Sequence, residues 1–194
     1  MLPLTTRAAF ACTEVQVRAP TGELVVGNTV EAGVNARGLD HHDLVVTPTP
    51  RGKRLGGHGG PGSGCMSYTS KYGFLQSTSS YYLKGGMNEA GLGINHHALE
   101  LAVFQEPDPT GATPSLCKPD ISSWALGLHA NVAEVVAGLR SVRFVGERGD
   151  QWGLHDATGA SVVIEFVKGV LTAHNNSVGL NNTGIGLLTN EYYA

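Results

Sequence analysis

The sequence predicts an α+β fold in which strands, then helices, then strands build a layered domain. Polar and apolar residues alternate with a period of two over residues 13–30 and again over 151–174, as in strands with one buried face. Between these stretches, over residues 120–139, apolar residues recur with a spacing near 3.6, the period of an amphipathic helix. The 194 residues suffice for one domain with a sizeable core, or for a piece of a larger one.

The first predicted element is a β-hairpin. Two alternating segments flank the residues Pro-Thr-Gly-Glu at 20–23, which are typical of a turn. With the tip at the centre of that turn, the register places Cys12 opposite Glu31 and Val15 opposite Asn28. Opposed side chains in a hairpin have Cβ atoms roughly 4.5–5.5 Å apart. The hairpin therefore brings a thiol and a carboxylate to one edge of a sheet.

The next part of the chain predicts short strands separated by glycine and proline. A strand is expected at 43–47, two β-prone segments at 71–75 and 79–83, and loops or turns at 48–64, 85–93 and 107–119. The glycine run within 56–64 lacks the Gly-Lys-Ser/Thr ending of a phosphate loop, and it lacks the strand–turn–helix setting of a dinucleotide fingerprint. It therefore indicates a surface loop.

Two helices and a meander of strands complete the predicted order. We expect Asp120 to cap a helix over 121–128 and Asn131 to cap an amphipathic helix over 132–139. The last three strands are predicted at 151–156, 160–166 and 170–174.

Cys12 is the residue with the clearest chemical meaning. The preceding Ala9-Phe10-Ala11 is a small-x-small stretch of the kind that proteases cut after, and cleavage there makes Cys12 the first residue of a strand. An N-terminal cysteine carries a nucleophilic thiol together with an α-amine, whose reference pKa of ~7.7–8.0 suits a general base. This combination predicts chemistry on amide bonds.

Composition argues against several classes of partner. The formal net charge of −3 comes without a basic run, which argues against nucleic-acid binding. No apolar stretch reaches the ~18 residues of a membrane span. The segment before Cys12 is shorter than a secretory signal of ~15–30 residues, so it is either a clipped signal or a short propeptide. A clipped signal predicts a periplasmic or secreted protein, and otherwise we expect a cytoplasmic one.

No metal and no cofactor is predicted. The eight histidines include the adjacent pairs His41-His42 and His96-His97, but neighbouring strand residues point to opposite faces, and no His-Glu-x-x-His or Cys-x-x-Cys spacing occurs. Cys65 and Cys117 are either a pair that an exported protein could oxidise or two unrelated thiols.

Taken in order, these segments resemble the choloylglycine hydrolase family, the linear amide C-N hydrolases that include bile salt hydrolases and penicillin V acylases. The resemblance extends from Cys12 to Asn190. It rests on collinear motifs: Ala11-Cys12-Thr13, Val26-Gly27-Asn28-Thr29-Val30-Glu31, Pro50-Arg51-Gly52, Lys71-Tyr72-Gly73-Phe74, Gly86-Met87-Asn88-Glu89-Ala90-Gly91-Leu92, the stretch 126–139, Asp156-Ala157-Thr158-Gly159 and Val163-Ile164-Glu165.

The resemblance implies an N-terminal-nucleophile (Ntn) hydrolase with an αββα sandwich of two antiparallel sheets flanked by helices. Residues 1–11 would be the leader, and 12–194 the N-terminal portion of a single domain whose C-terminal part is missing. In this family pattern Cys12 is the nucleophile and Glu31 contacts its amine. Asn190, which ends Gly186-Leu187-Leu188-Thr189-Asn190, holds the oxyanion together with the backbone N–H near Ala98.

The sequence also departs from the family pattern. Asn28 stands where the family has an arginine beside the thiolate, which removes a positive charge and predicts a higher thiol pKa. Gly85 replaces an aspartate, and the chain stops where family members continue into further strands. Asparagines within 175–182 compete with Asn190 for the oxyanion role, and Asn190 is favoured because it follows a threonine.

The sequence therefore predicts a hydrolase of small N-acyl amides, of the bile-salt, penicillin V or acyl-homoserine-lactone type, acting through a thioacyl intermediate on Cys12. Two alternatives stay open: an inactive ligand-binding remnant, and a different thiol hydrolase that works with residues 1–11 in place. The expected partner is a small-molecule substrate, with neither nucleic acid nor membrane, and a homo-oligomer is compatible with the sequence.

Overall fold

The structure is a computed structural model that describes residues 12–29, 45–58, 64–78, 83–147, 149–178 and 184–193. Within these ranges the strands are β1 (Thr13–Arg18), β2 (Leu24–Thr29), β3 (Val45–Thr49), β4 (Arg54–Gly56), β5 (Ser67–Thr69), β6 (Phe74–Thr78), β7 (Leu83–Asn88), β8 (Gly93–Leu99), β9 (Ser115–Cys117), β10 (Arg143–Val145), β11 (Gly149–His155), β12 (Ser161–Val167), β13 (Val170–Asn175) and β14 (Leu187–Leu188). The α-helices are α1 (Ile121–Leu128) and α2 (Val132–Leu139).

Two antiparallel sheets organise the chain. The larger has seven strands in the order β13-β12-β11-β8-β7-β6-β3, and the smaller has three in the order β14-β1-β2. Among the described strands, β3, which contains Pro48, is the outermost at one side of the larger sheet. Two short ribbons complete the pairing, an antiparallel one of β4 with β5 and a parallel one of β9 with β10.

The apolar core lies between the larger sheet and the two helices. Strand residues alternate between faces, so one face of β8, β11 and β12 supplies apolar side chains toward α1 and α2. The large buried members of the core include Trp152, Phe144, Phe166, Trp124, Leu126, Ile94, Leu154 and Ile164.

The smaller sheet covers the opposite face of the larger one through polar contacts. The Asn95 amide on β8 donates to Glu14 on β1 (2.9 Å), and the Gln16 amide on β1 donates to the Ser161 hydroxyl on β12 (2.7 Å). Helix, sheet and sheet therefore form three layers, and the predicted α+β class is confirmed. The outer face of the smaller sheet exposes apolar side chains, namely Val15, Val17 and Val25.

The hairpin forms as predicted, but its predicted register was wrong by one residue. Glu14, and not Val15, lies opposite Asn28, and Val15 lies opposite Gly27. The reason is a longer turn, because Ala19 N–H donates to the Glu23 carbonyl (2.8 Å) and closes a loop of three residues. Gly22 supplies the positive φ of 104° that such a loop requires. Glu31 lies outside the described residues.

The glycines at 85 and 86 are strand residues, so the predicted turn over 85–93 was wrong in its first half. They belong to β7, and the turn is confined to residues 89–92. A Cβ on Gly86 would lie 2.7 Å from the Leu126 Cδ1 atom and 2.5 Å from the Leu75 carbonyl oxygen. Glycine here allows α1 to approach the sheet closely and does not mark a turn. The predicted loops 48–64 and 107–119 likewise contain the short strands β4 and β9.

Both predicted helices are present with the predicted bounds. The Asn131 side chain caps α2 by accepting from the Glu134 N–H (2.9 Å). Asp120 occupies the N-cap position of α1, but its side chain accepts no capping bond there and contacts His58 instead. In the part of the chain that the structure describes, no helix has the length and apolar character of a membrane span.

Candidate active site

Cys12 lies directly before β1 at the edge of the inter-sheet layer. It is half-buried and does not take part in a disulfide, whereas Cys65 and Cys117 are bonded to each other. Residues 14 and 16 of β1 face the larger sheet and are buried, and residues 15 and 17 face outward. The alternation of β1, extended back by two residues from Glu14, predicts that Cys12 belongs to the inward set. The thiol thus immediately precedes the strand that covers the larger sheet.

Asn190 lies at the same end of the smaller sheet as Cys12. Strand β14 pairs with β1 so that Leu188 is opposite Glu14, and Asn190 follows Leu188 by two residues, just as Cys12 precedes Glu14 by two. The Asn190 side-chain Nδ2 and Oδ1 atoms are buried and have no hydrogen-bond partner among the described residues. Leaving a buried amide unpaired lowers the stability of the fold by about 1–3 kcal/mol. A ligand can bond to this amide without first breaking a hydrogen bond within the described residues.

Asn28 is tied to the backbone of the hairpin. With its amide oriented to satisfy both neighbours, Nδ2 donates to the Thr13 carbonyl (3.1 Å) and to the Thr29 carbonyl (3.2 Å). The side chain therefore serves the pairing of β1 with β2. Ala98 is a residue of β8 opposite Asp150, and its proposed backbone contribution to an oxyanion site stays a prediction.

A buried carboxylate, Glu14, lies two residues from Cys12, and sequence reasoning missed it. Its Oε2 atom accepts from the Asn95 amide (2.9 Å) and lies 3.5 Å from His155 Nε2 and 3.8 Å from His97 Nε2. Its Oε1 atom accepts from the Gln16 amide (3.1 Å). The side chain is fully buried.

These neighbours keep Glu14 ionised. Burial raises the pKa of the Glu14 carboxyl, but His97, His155 and the two amide donors outweigh burial, so the pKa lies below its usual value. For His155 burial dominates and lowers the imidazole pKa, against the opposing charge of Glu14. The only sequence signal for this cluster was an acidic residue at an inward position of β1.

The adjacent histidines His96 and His97 point to opposite faces of β8, as predicted. His96 Nε2 lies 2.8 Å from Asp150 Oδ1 on the helix side, and His97 faces Glu14 in the inter-sheet layer. In the described ranges, no group of three His, Cys, Asp or Glu side chains is arranged to hold a metal ion.

Comparison with known proteins identifies the family. The sequence profile of the linear amide C-N hydrolases, choloylglycine hydrolase family, matches residues 12–185. The chain belongs to this family. A search of curated proteins finds no significant match. The family match begins at Cys12 and ends five residues before Asn190.

Solved structures share the fold of this chain over about half of their own length. Penicillin V acylase from Agrobacterium tumefaciens superposes with a TM-score of 0.66 at 26% identity, over 92% of this chain and 52% of that one. Two variants of conjugated bile acid hydrolase from Clostridium perfringens superpose with a TM-score of 0.71 at 21% and 20% identity, over 94% of this chain and 54% of theirs. This chain therefore spans about half the length of these relatives.

Proposed function

We propose that this chain carries the nucleophile of a hydrolase that cleaves the amide bond of small N-acyl compounds. The position of Cys12 supports this most strongly, because Cys12 is the first residue of the family match and lies at the same end of the smaller sheet as Asn190, whose buried amide has no hydrogen-bond partner in the part of the chain that the structure describes. Residues 1–11 are then a removable leader, and residues 12–194 are the N-terminal portion of the catalytic domain.

In the proposed reaction, removal of the leader frees the α-amine of Cys12. The amine takes the thiol proton, and Sγ attacks the carbonyl carbon of the substrate. The oxyanion accepts hydrogen bonds from Asn190 Nδ2 and from the backbone N–H near Ala98, a role in which losing one donor costs ~2.7–4 kcal/mol. The C–N bond then breaks as the leaving amine takes the proton from the α-ammonium.

Deacylation completes the cycle with the same groups. The α-amine takes a proton from water, and the hydroxide attacks the thioester carbon. The C–S bond then breaks, the carboxylic acid leaves, and Sγ takes the proton back from the α-ammonium. Glu31 is proposed to accept a hydrogen bond from the α-ammonium and to keep it oriented. By analogy with relatives named for penicillin V and for conjugated bile acids, we propose these substrate classes, with acyl-homoserine lactones as a third.

A specific observation favours a second candidate, a ligand-binding protein without hydrolytic activity. The Asn28 amide is engaged by two backbone carbonyl groups, and it brings to the thiol none of the positive charge that the family's arginine would bring at this position. Such a protein would bind acyl amides and leave them intact.

Intact mass and activity together test the proposal. We call the protein without substitutions the parent. The purified parent is expected to have lost residues 1–11, and the Cys12→Ala variant is expected to keep them. On a panel of acyl amides Cys12→Ala should be slower than the parent by on the order of 10³-fold or more, because the nucleophile is absent. Cys12→Ser, which keeps a weaker nucleophile of similar size, is the matched control for folding.

Three outcomes contradict the proposal. Equal activity of Cys12→Ala and the parent would remove Cys12 from the chemistry. An active parent that retains its leader would remove the α-amine and favour a thiol hydrolase that needs no processing. Binding of an acyl amide without hydrolysis would establish the ligand-binding candidate.

A further inference from the structure

The segment after β14, which carries Asn190, is fixed to the larger sheet by two buried side chains. Gln151 on β11 donates through Nε2 to the carbonyl oxygens of Thr189 (2.5 Å) and Glu191 (3.3 Å). Glu165 on β12 accepts from the backbone N–H of Tyr193 (2.5 Å). The hydrogen bonds of Gln151 thus lie on both sides of Asn190.

Gln151 and Glu165 are neighbours on one face of the sheet. Trp152 pairs with Ile164, so the same antiparallel register brings Gln151 opposite Glu165. Residues opposite each other project to the same face, and this face carries the contacts to the smaller sheet. Gln151 is fully buried and Glu165 is 1% exposed, so their hydrogen bonds to the segment are shielded from water.

The chemistry of Gln151 fits a role in holding the segment in place. Its Nε2 atom contacts two carbonyl oxygens, but its Oε1 atom is buried without a partner among the described residues. An unpaired buried acceptor is costly, and the two donated bonds offset that cost only if the segment stays where it is. Fixing the carbonyls before and after Asn190 also fixes the direction in which its Cα–Cβ bond points, and so the region that its amide can reach.

We propose that Gln151 and Glu165 are positioning residues, which hold the Asn190 segment so that its amide faces the acyl oxygen of the substrate. The inference rests on the proposed function, because it takes Asn190 as an oxyanion donor. Neither residue touches the substrate, and both act through Asn190. We call these two side chains and their hydrogen bonds to residues 189–193 the clamp. Displacement of a catalytic group by about 1 Å can lower the rate on the order of 10²-fold. Removal of the clamp is therefore expected to lower mainly kcat.

The test is Gln151→Met in the parent and in the Asn190→Ala background. Methionine keeps the approximate size and shape of glutamine and removes the donor. In the parent we expect kcat to fall about 10- to 100-fold with KM within about 2-fold. In the Asn190→Ala background the same substitution should change kcat by less than about 2-fold, because the residue through which it acts is gone.

Gln76→Met is the matched control. Gln76 is a buried glutamine of the same sheet on β6, and it shares the helix-facing side with Phe74. Its replacement should leave kcat unchanged. Hydrogen exchange provides a readout that needs no activity: the amides of 189–193 should exchange faster in Gln151→Met than in Gln76→Met. If Gln151→Met does not fold, Gln151→Asn replaces it, because asparagine keeps the donor but has a side chain shorter by one methylene. Gln151→Asn should also lower kcat in the parent and leave it nearly unchanged in the Asn190→Ala background.

The possible failures can be told apart. Any of three results overturns the clamp and leaves the proposed function standing. They are an equal loss of kcat in the two backgrounds, an equal loss of kcat in Gln76→Met, and unchanged hydrogen exchange of the amides of 189–193. A parent that hydrolyses no acyl amide, or a Cys12→Ala variant as active as the parent, overturns the proposed function and with it the catalytic meaning of the clamp.

Discussion

Glu14 shows how a charged side chain is accommodated between two sheets. Its carboxylate is fully buried, yet both oxygens have partners, from Gln16 on its own strand and from Asn95 and His155 on the larger sheet. Gly153 on β11 provides the space, because a Cβ there would lie 2.7 Å from Glu14 Oε2 and 3.0 Å from Oε1. A carboxylate and a glycine on separate sheets are thus fitted to each other.

This fit predicts that Gly153→Ala is destabilising. The added methyl group must displace a carboxylate held by buried hydrogen bonds, so we expect a loss of about 1–3 kcal/mol in the free energy of unfolding, measured by denaturant titration. In a Glu14→Ala background the same substitution should cost much less, because the clashing oxygens are gone.

Gly27→Ala is the control for this prediction. Gly27 is also a strand glycine, but a Cβ there meets nothing within 4 Å, so alanine should be neutral or slightly stabilising. A cost of Gly153→Ala that is the same with and without the Glu14 side chain would contradict the account.

Single residues stand out in the sequence where a local motif or the family pattern marks them, and their catalytic roles stay predictions. Cys12 and Asn190 were singled out from short motifs, and the structure brings them to the same end of the smaller sheet. Glu14 and Gln151 were not predicted, because their partners come from distant strands: Glu14 contacts Asn95, 81 residues away, and Gln151 contacts Thr189, 38 residues away. No local pattern encodes such contacts.

Among the elements, the helices were predicted best, because capping and periodicity act within a few residues. The hairpin was predicted, but its register depended on whether the loop has two residues or three, which its sequence alone did not decide. The glycines of β7 were misread as a turn, because the helix that packs against them is 40 residues further along the chain, at Leu126.

The cap of α2 gives a prediction for a single element. Asn131 Oδ1 accepts from the Glu134 N–H (2.9 Å), and Glu134 Oε2 accepts in return from the Ala130 N–H (2.8 Å). Asn131→Ala should therefore lower the free energy of unfolding by about 1 kcal/mol. Thermal or denaturant unfolding measures the change.

Asn131→Ser separates the cap from other effects of the substitution. Serine keeps a side-chain acceptor at the N-cap and should restore most of the stability. If the serine variant is as unstable as the alanine variant, the hydrogen bond is not the cause.

At the scale of the molecule, the two interfaces of the larger sheet differ in character. Apolar side chains of the helices and the sheet fill one interface, whereas Glu14, Gln16, His97, Gln151 and Glu165 make the other polar. The layered α+β class followed from periodicity in the sequence, but this division did not. Alternation shows which residues share a face, and only the packing of the layers shows what covers that face.

The disulfide between Cys65 and Cys117 links two distant stretches of the chain. It closes a segment of 52 residues and attaches the stretch before β5 to β9. In the chain-entropy account a loop of this length contributes about 4 kcal/mol to stability. Reduction with a phosphine should therefore shift the denaturant midpoint of the parent to lower concentration.

A double variant, Cys65→Ser with Cys117→Ser, is the reference for that experiment. Its midpoint should match that of the reduced parent and should not respond to the phosphine, whereas Cys12→Ser should respond as the parent does. A parent midpoint that is unchanged by reduction would show that the crosslink contributes nothing to stability.

Among the described strands, β3 is the outermost at one side of the larger sheet, and this has a consequence for association between chains. Such a strand presents main-chain groups to which a strand of a foreign polypeptide can bond. Pro48 lies within β3, between Thr47 and Thr49, and has no N–H to donate. An incoming strand can accept no hydrogen bond from the backbone of residue 48, so its pairing with β3 is interrupted there. Pro48 therefore disfavours fibrous assembly by the addition of strands to β3.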